Sequence, residues 1–319
     1  MASRLDVRVD VEHNSGRVVG VQTDAIHGDV YGGDIYQVQV YVLSETSRTQ
    51  PRGSAPGLPA GPYKFLSPYT PLDRDIFKGR RAEIEQVVRR VGEGRLLVLY
   101  GPAGVGKTSL LAAGMIPELI GAGALAIHIR DYSRPLREAL RSALQGSQSQ
   151  LTLTLPAEGD LPALLVNLRS QLSGTLVLVL DQFESLFREH TDPNVYAQIM
   201  NELVTSLRQV EPEYLRLILS IEDNALVRLS DLQQALPDVF RSFMQLDPLD
   251  PAQAKAAILE PLELFNSPPV YFPGEFVDSL LIPDLIELSP EMPQAVYPPH
   301  LQIVCHNLFE RAIKLSPPL

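Results

Sequence analysis

The sequence predicts an α/β protein in which helices cover both faces of a parallel sheet. Short apolar runs, such as residues 96–100 and 175–180, alternate with longer segments of helical character. Fully apolar strands separated by helices are typical of a parallel sheet that is buried on both faces. A glycine-rich loop at residues 101–108 stands between one such strand and a helix. A small β-rich segment before the sheet and a helical subdomain after it complete the expected fold.

Composition and periodicity divide the chain into four regions. Residues 1–43 alternate apolar and polar side chains between glycines, which indicates short strands. Residues 44–70 are rich in Pro, Gly and Ser and are expected to be a linker, although residues 65–69 could instead lie on the next domain. Residues 71–248 are expected to form the α/β core, and residues 249–319 a helical lid subdomain.

Within the core, the apolar pattern and the length of each segment predict the individual elements. The expected helices cover residues 81–91, 135–144 and 161–172. The expected strands cover residues 95–100, 124–130, 175–180, 214–220 and, at one edge of the sheet, 242–246.

The composition argues against several classes of function. The net charge of −11 disfavours a nucleic-acid surface, which needs clustered Lys and Arg. No apolar run is long enough to span a membrane, and the first residues lack the pattern of a secretory signal. The single cysteine, Cys305, fits a reducing compartment and is expected to be a small buried side chain. We therefore expect a cytoplasmic protein without nucleic-acid or membrane partners.

The glycine-rich loop carries the first chemical motif. Residues 101–108 read Gly-Pro-Ala-Gly-Val-Gly-Lys-Thr and match G-x-x-x-x-G-K-[ST] in full. Glycines let backbone N–H groups wrap phosphates closely, and the following helix N-terminus attracts the anion. Lys107 is expected to reach the β- and γ-phosphates of ATP, and the Thr108 hydroxyl to hold Mg²⁺. The expected nucleotide-binding residues of this loop are Gly101, Pro102, Ala103, Gly104, Val105, Gly106, Lys107, Thr108 and Ser109.

The second motif follows the apolar strand at residues 175–180. Asp181 stands at the carboxyl end of this strand, which is the ligand-binding edge of a parallel sheet, and is expected to hold Mg²⁺. Glu184, three residues later, is expected to polarise the water that attacks the γ-phosphate. The alternative for Glu184 is a surface charge or an ion-pair partner. Lys107, Asp181 and Glu184 are thus the expected catalytic residues.

Several motifs together resemble those of the STAND NTPases, the signalling relatives that include the NACHT and NB-ARC proteins. Residues 180–187 read Leu-Asp-Gln-Phe-Glu-Ser-Leu-Phe, which is similar to the L-D-Q-F-E-E-L-F signature of a bacterial branch. Upstream, Phe77, Gly79, Arg80 and Glu83 fall on the family's F-x-G-R-x-x-E element, which lies beside the adenine.

Three further stretches extend the resemblance over about residues 65–315. Residues 113–117 are similar to the family's A-G-L-x-P, and residues 246–249 to the start of its helical lid. Residues 297–305 resemble a helix start whose proline packs near the base. The resemblance implies that four more residues contact the nucleotide: Phe77, Gly79, Arg80 and Pro299.

The chain departs from the family pattern at three places. The second acidic residue after the strand is replaced by Ser185. The fourth strand leads to Glu222 rather than to a polar or Arg sensor, so Glu222 is expected to face elsewhere and Arg216 or Arg228 to serve instead. Family members continue into a winged helix, whereas this sequence ends at Leu319, which leaves both a truncated and a naturally short member open.

The resemblance implies an ATP-binding signalling switch that hydrolyses ATP slowly to ADP and self-associates in its ATP state. Bacterial antiviral defence or signal transduction is the implied setting, with an effector or trigger that the sequence does not name. Two alternatives stay open. One is a fast-cycling ATPase of the AAA+ type, and the other is a non-catalytic interaction module that the nucleotide clamps.

Residues 1–43 resemble the short Gly/Gln/Val motifs that precede bacterial STAND proteins. Alternating strands with little net charge favour edge-to-edge pairing, so this segment is expected to contact other chains. The alternative is an ordinary β-hairpin module that docks on the NTPase. His27 is expected to be a turn residue rather than a metal ligand, because no second His or Cys accompanies it.

Overall fold

The computed structural model describes residues 17–18, 30–31, 38–41, 61–146, 154–156, 158–172, 174–190, 192–230, 242–265, 270–288 and 294–315. Most of the expected N-terminal segment, including His27, and most of the expected linker lie outside these residues.

Eight strands fall within the described residues. They are β1 (Arg17–Val18), β2 (Val30–Tyr31), β3 (Val38–Tyr41), β4 (Leu96–Gly101), β5 (Leu125–Ile129), β6 (Leu176–Leu180), β7 (Leu215–Glu222) and β8 (Phe243–Gln245). Strands β1 and β2 form an antiparallel pair, and the other six form one sheet in the order β3-β5-β6-β7-β4-β8.

Helices connect and follow these strands. They are α1 (Arg81–Glu93), α2 (Lys107–Ser109), α3 (Ile116–Gly121), α4 (Leu136–Gly146), α5 (Leu161–Gln171), α6 (Glu184–Glu189), α7 (Pro193–Gln209), α8 (Pro251–Leu259), α9 (Gly274–Phe276), α10 (Ile282–Glu287) and α11 (Pro298–Leu315). Two π-helical segments, Leu110–Met115 and Val277–Leu281, join α2 to α3 and α9 to α10. Asp160, Asp192 and Asp250 cap the first turns of α5, α7 and α8 through their side chains, as short polar residues do at helix starts.

The sheet confirms the predicted α/β class. Strands β5, β6, β7, β4 and β8 run parallel to their neighbours. Strand β8 pairs only with β4, at the edge where residues 242–246 were expected. Crossovers by helices place the carboxyl ends of all five strands at one edge of the sheet.

Side chains on the two faces of the sheet belong to different hydrophobic cores. Leu97 and Leu99 of β4 pack with α1 and with the helix that follows the glycine-rich loop. Leu96 and Val98 of the same strand belong to the larger core, which includes residues of α4, α5 and α7. Because side chains alternate along a strand, this division confirms that both faces are covered.

A third hydrophobic core holds the helical subdomain together and confirms its place after the sheet. It joins residues of α8, α10 and α11, and it includes Cys305, which is fully buried as expected. Burial raises the pKa of the Cys305 thiol to about 12. Tyr63, from the end of the expected linker, belongs to the same core and donates a hydrogen bond of 2.6 Å to the Ile258 carbonyl. Tyr63 therefore lies on the helical subdomain.

Strand β3 differs from the expectation of a β-rich segment set apart from the sheet. It pairs antiparallel with β5, with Val38 opposite Ile129 and Tyr41 opposite Ala126. The pairing covers the free edge of β5, which would otherwise present unpaired N–H and C=O groups.

Among the described residues, no helix has the length and apolar character that a membrane span requires.

Candidate nucleotide-binding site

A cavity of about 310 Å³ opens where the glycine-rich loop, residues 65–69 and the start of α11 meet. It lies at the carboxyl ends of the parallel strands, where open α/β sheets bind ligands. The cavity wall includes these residues expected from the sequence: Phe77, Arg80, Gly104, Val105, Gly106, Thr108, Ser109 and Pro299. Seven other expected residues are not part of this wall: Gly79, Gly101, Pro102, Ala103, Lys107, Asp181 and Glu184.

The backbone of the glycine-rich loop needs glycine at two positions along the cavity. Gly104 has a φ of +73° and Gly106 a φ of +101°, which side-chain-bearing residues rarely adopt. The Gly106 carbonyl then accepts a hydrogen bond of 2.8 Å from Leu110 N, so the chain enters a helix directly after the loop. This geometry fits a phosphate cradle, because backbone N–H groups at such a helix start bind anions.

Lys107 is buried beside the loop that it follows. Its Nζ donates hydrogen bonds to the carbonyl oxygens of Gly101 at 2.8 Å and Pro102 at 3.0 Å. Burial lowers the pKa of Lys107, and the negative charges of Glu184 and Glu222 oppose that effect. The ammonium group is thus held at the loop, within the field of carboxylates at the strand ends.

Asp181 directly follows β6 and is completely buried. Its Oδ2 lies 3.1 Å from His128 Nε2 and 3.8 Å from Arg130 Nε, and its Oδ1 accepts a hydrogen bond from Gln182 N at 3.0 Å. Burial by itself would raise the pKa of Asp181. The hydrogen bond and the charge of His128, together with the charge of Arg130, outweigh burial and bring it to about 2. The carboxylate is therefore ionised at neutral pH, as a Mg²⁺ ligand must be.

Glu184 begins α6 and faces the end of β7. Its Oε2 accepts a hydrogen bond of 3.1 Å from the backbone N of Glu222. Burial raises the pKa of Glu184, and the charge of Glu222 acts in the same direction, against the hydrogen bonds to its carboxylate. A raised pKa suits a general base. The neighbouring Ser185 hydroxyl accepts a hydrogen bond of 2.7 Å from Arg188, one turn along α6.

The arginines considered as sensors from the sequence do not line the cavity. Arg216 stands near the start of β7, six residues from Glu222, or about 20 Å along an extended strand. Arg228 is exposed on the 3₁₀ helix Asp223–Leu229. The cavity wall instead includes Arg130, which directly follows β5 and which the sequence reasoning missed. The sequence did offer a signal for Arg130, because an arginine directly after an apolar strand stands at the ligand-binding edge of a parallel sheet.

Arg80 joins the glycine-rich loop to the helical subdomain. Its Nη2 donates a hydrogen bond of 3.1 Å to the Val105 carbonyl, and its Nη1 donates one of 2.8 Å to Glu83. The same Glu83 oxygen accepts a hydrogen bond of 2.7 Å from the Gln253 amide, on α8. Gly79 lies against α8 as well, because a Cβ there would stand 2.4 Å from the Gln253 carbonyl. The F-x-G-R-x-x-E element thus forms a bridge between core and lid.

Tyr297 makes a second contact between the helical subdomain and the loop. Its hydroxyl donates a hydrogen bond to the Ala103 carbonyl. A Cβ on Gly104 would lie 2.2 Å from the same hydroxyl oxygen and 3.1 Å from Pro299 Cγ. The start of α11 therefore rests directly on the loop, which the sequence did not indicate for Tyr297.

Residues 64–69 close the remaining side of the cavity and contact both halves of the molecule. The backbone N of Lys64 donates a hydrogen bond of 2.9 Å to Gln302 of α11, and the backbone N of Tyr69 donates one of 3.1 Å to Ser109 Oγ. The Tyr69 ring also packs against Phe77, with their centroids 5.2 Å apart. An apolar wall of this kind, which also includes Pro299, fits a planar base.

The donor set also fits a hard divalent cation. Thr108, in the cavity wall, and the ionised Asp181 behind the loop are the residues that would hold Mg²⁺, which is commonly bound through one or two carboxylates together with substrate phosphates. In the described part of the chain, no group of three or more His, Cys, Asp or Glu side chains could hold a metal ion. The metal would therefore depend on the phosphates for its remaining ligands.

Comparison with known proteins agrees with this fold. The chain matches the family model described as Novel STAND NTPase 1 over residues 62–280. No curated protein matches it. It is similar to the Walker-type ATPase PABY2304 of Pyrococcus abyssi, at 18% identity and a TM-score of 0.51, over 78% of this chain and 73% of that one. It is also similar to the ORC2 protein of Aeropyrum pernix, at 17% identity and a TM-score of 0.45, over 72% and 67% of the two chains.

At 18% identity and a TM-score of 0.51, the similarity to the Pyrococcus ATPase supports only the fold. The family model is more specific, because it matches more than half of the chain and includes both the glycine-rich loop and Asp181. The chain belongs to the STAND class of P-loop NTPases, in the Novel STAND NTPase 1 family.

Proposed function

We propose that the protein is a signalling switch that binds ATP with Mg²⁺, hydrolyses it slowly to ADP, and couples the bound nucleotide to the position of its lid. The observation that carries this proposal is the pair of contacts between the lid and the glycine-rich loop. In the first contact, hydrogen bonds run from Gln253 to Glu83, and Arg80 bonds both Glu83 and the Val105 carbonyl. In the second, the Tyr297 hydroxyl donates a hydrogen bond to the Ala103 carbonyl. The loop that would hold the phosphates is thus the surface on which the lid rests.

Each residue at the site has a role in this proposal. Residues 101–109 wrap the phosphates, with Lys107 pairing their charge, and Phe77, Gly79, Arg80 and Pro299 shape the pocket around the base. Thr108 and Asp181 would hold Mg²⁺, which would neutralise part of the phosphate charge when bound. Glu184 accepts the proton of the attacking water.

A switch of this kind works through a shift of populations. A nucleotide favours the lid position that it contacts better, and it can shift the equilibrium only by its difference in affinity for the two states. Loss of the γ-phosphate changes the charge beside Ala103 and Gly104, where Tyr297 rests. Slow hydrolysis would therefore act as a timer for the ATP state.

Assembly and biological role rest on family membership alone. We propose that the ATP state self-associates in the cytoplasm, and that the output is bacterial antiviral defence or another signal. The proposed regions are the N-terminal segment 1–43, the linker 44–70, the NTPase core 71–248 and the lid 249–319. Residues 1–43 would contact a second copy or an effector once the NTPase has clustered them.

The test is ATP binding and turnover by the purified protein and by Lys107→Ala. Losing a charged hydrogen-bond donor to phosphate costs about 1.5–3 kcal/mol, which weakens ATP binding at least tenfold. Lys255→Ala is the matched control, because Lys255 pairs with Asp278 on the exposed lid surface at 2.6 Å. Unchanged ATP affinity in Lys107→Ala would contradict the site. A turnover typical of enzymes, about 10 s⁻¹, would favour a fast-cycling ATPase, whereas no turnover would favour a nucleotide-clamped module.

A further inference from the structure

Arg130 holds a position that the function proposed above does not use. It directly follows β5, and Asp181 directly follows the neighbouring strand β6. Ile129 pairs with Leu180, so the next residue on each strand emerges at the same level of the sheet. The Arg130 side chain is part of the cavity wall, together with Gly106, Thr108 and Gln182.

The guanidinium of Arg130 is not fully used by the protein. Its Nε is buried and has no hydrogen-bond partner within the described residues. The nearby carboxylate oxygen, Asp181 Oδ2, is 3.8 Å away, which is too far for a hydrogen bond. An arginine side chain offers five N–H donors in a planar fork that matches phosphate oxygens. The side chain as a whole is 19% exposed and part of the cavity wall, so its terminal N–H groups can reach a ligand atom.

The negative charges around the cavity favour a second cationic side chain in addition to Lys107. The carboxylates of Glu184, Asp181 and Glu222 all act on the one lysine of the loop, Lys107. The guanidinium of Arg80 is already bound to Glu83 and to the Val105 carbonyl. A nucleoside triphosphate carries several negative charges, so one lysine and one Mg²⁺ amid three carboxylates would still balance them poorly.

From these observations we propose that Arg130 binds the terminal phosphate of ATP and makes the site prefer ATP over ADP. The inference rests on the proposed function, because it adds a phosphate-binding residue to the same site. Its position beside Asp181, rather than beside Phe77 and Pro299, places it at the phosphate end of the cavity. The competing explanation is that Arg130 only neutralises Asp181 and acts through that carboxylate.

The experiment measures the affinities of the full chain and its variants for ATP and for ADP, each with Mg²⁺ and with EDTA. Arg130→Gln removes the charge and is expected to weaken ATP binding about tenfold or more, and ADP binding less than threefold, under both conditions. Arg130→Lys keeps the charge without the fork and should recover part of the ATP preference. Arg134→Gln is the control, because Arg134 pairs with Asp131 at 3.6 Å and is not part of the cavity wall.

The outcomes separate the explanations. An equal loss of ATP and ADP affinity in Arg130→Gln, or a loss that disappears in EDTA, overturns the proposal and assigns Arg130 to Asp181. If Arg130→Gln does not fold, Arg130→Lys decides, and an unchanged ATP preference in that variant also overturns the proposal. Absence of ATP binding by the wild-type protein would instead contradict the proposed function, which keeps the two failures distinct.

Discussion

The contact between Gly79 and α8 provides a sharp test of how the lid is attached. Gly79 has a φ of +81°, and a Cβ at this position would lie 2.4 Å from the Gln253 carbonyl oxygen and 3.0 Å from Ala257 Cβ. Both atoms belong to α8, and a backbone carbonyl in a helix cannot rotate aside as a side chain can. Gly79→Ala must therefore strain the Gly79 backbone and push α8 away from the core.

Two other glycines separate these effects. Gly92 lies in α1, has open space around it and has no positive φ, so alanine there should stabilise the protein by about 0.5–1 kcal/mol. Gly123 has open space but a φ of +90°, so alanine there should cost about 1–2 kcal/mol. Gly79→Ala adds a displacement of roughly 1 Å to restore normal contact with α8, at about 1–3 kcal/mol. Its total cost is then about 2–5 kcal/mol.

Urea unfolding and ATP affinity, measured on all three variants, test this reasoning. The unfolding midpoints should fall in the order Gly92→Ala, wild type, Gly123→Ala and Gly79→Ala. Only Gly79→Ala should also lose ATP affinity, since Gly79 lies between two residues of the cavity wall, Lys78 and Arg80. If Gly79→Ala has the same urea midpoint as Gly123→Ala and binds ATP like the wild type, α8 does not rest on Gly79. The proposed contact between the core and the lid is then refuted.

Two further predictions concern the reaction and the sheet edge. Glu184→Gln should keep ATP affinity and slow hydrolysis by roughly 10²–10⁴-fold, because an amide cannot accept the proton of water; unchanged single-turnover rates would remove Glu184 as the base. Deleting residues 1–37 keeps β3, whereas deleting residues 1–43 exposes the edge of β5. Both truncations should bind ATP. Without nucleotide, only the longer one should self-associate in light scattering at rising concentration, and identical behaviour would mean that β3 does not protect this edge.

The sheet was predictable from sequence because its signals are local. Residues 175–180 are apolar throughout, and β6 covers Leu176–Leu180. The glycine-rich motif predicted a loop between a strand and a helix, and this loop follows β4. The strand predicted at residues 242–246 corresponds to the edge strand β8. Helix α7 was not predicted, although Asp192 before a proline is a common helix start and caps this helix.

The rest of the site depends on contacts between residues distant in the chain. His128 meets Asp181 across 53 positions, and Tyr297 meets Ala103 across 194. His128 stands inside an apolar strand, and Tyr297 stands before two prolines. Neither position shows a sequence pattern that would predict its distant partner. The pairing of β3 with β5 has the same origin, because strand register across a long connection follows from tertiary packing rather than from local pattern. Sequence motifs thus located the glycine-rich loop, but not the contacts that join it to the lid.

Those contacts have a strength suited to a reversible switch. The Tyr297 hydrogen bond to Ala103 is neutral and contributes about 0.5–1.5 kcal/mol, whereas the link through Arg80, Glu83 and Gln253 includes charged groups that contribute about 1.5–3 kcal/mol each. Helices α8 and α11 share one hydrophobic core, so the lid meets the loop as one packed body at both points. Reversing a two-state equilibrium from 1:99 to 99:1 takes about 5.5 kcal/mol. The two hydrogen bonds that cross from the lid, from Tyr297 to Ala103 and from Gln253 to Glu83, together contribute about 2–4.5 kcal/mol, so phosphates that alter both would shift the lid equilibrium strongly without reversing it completely.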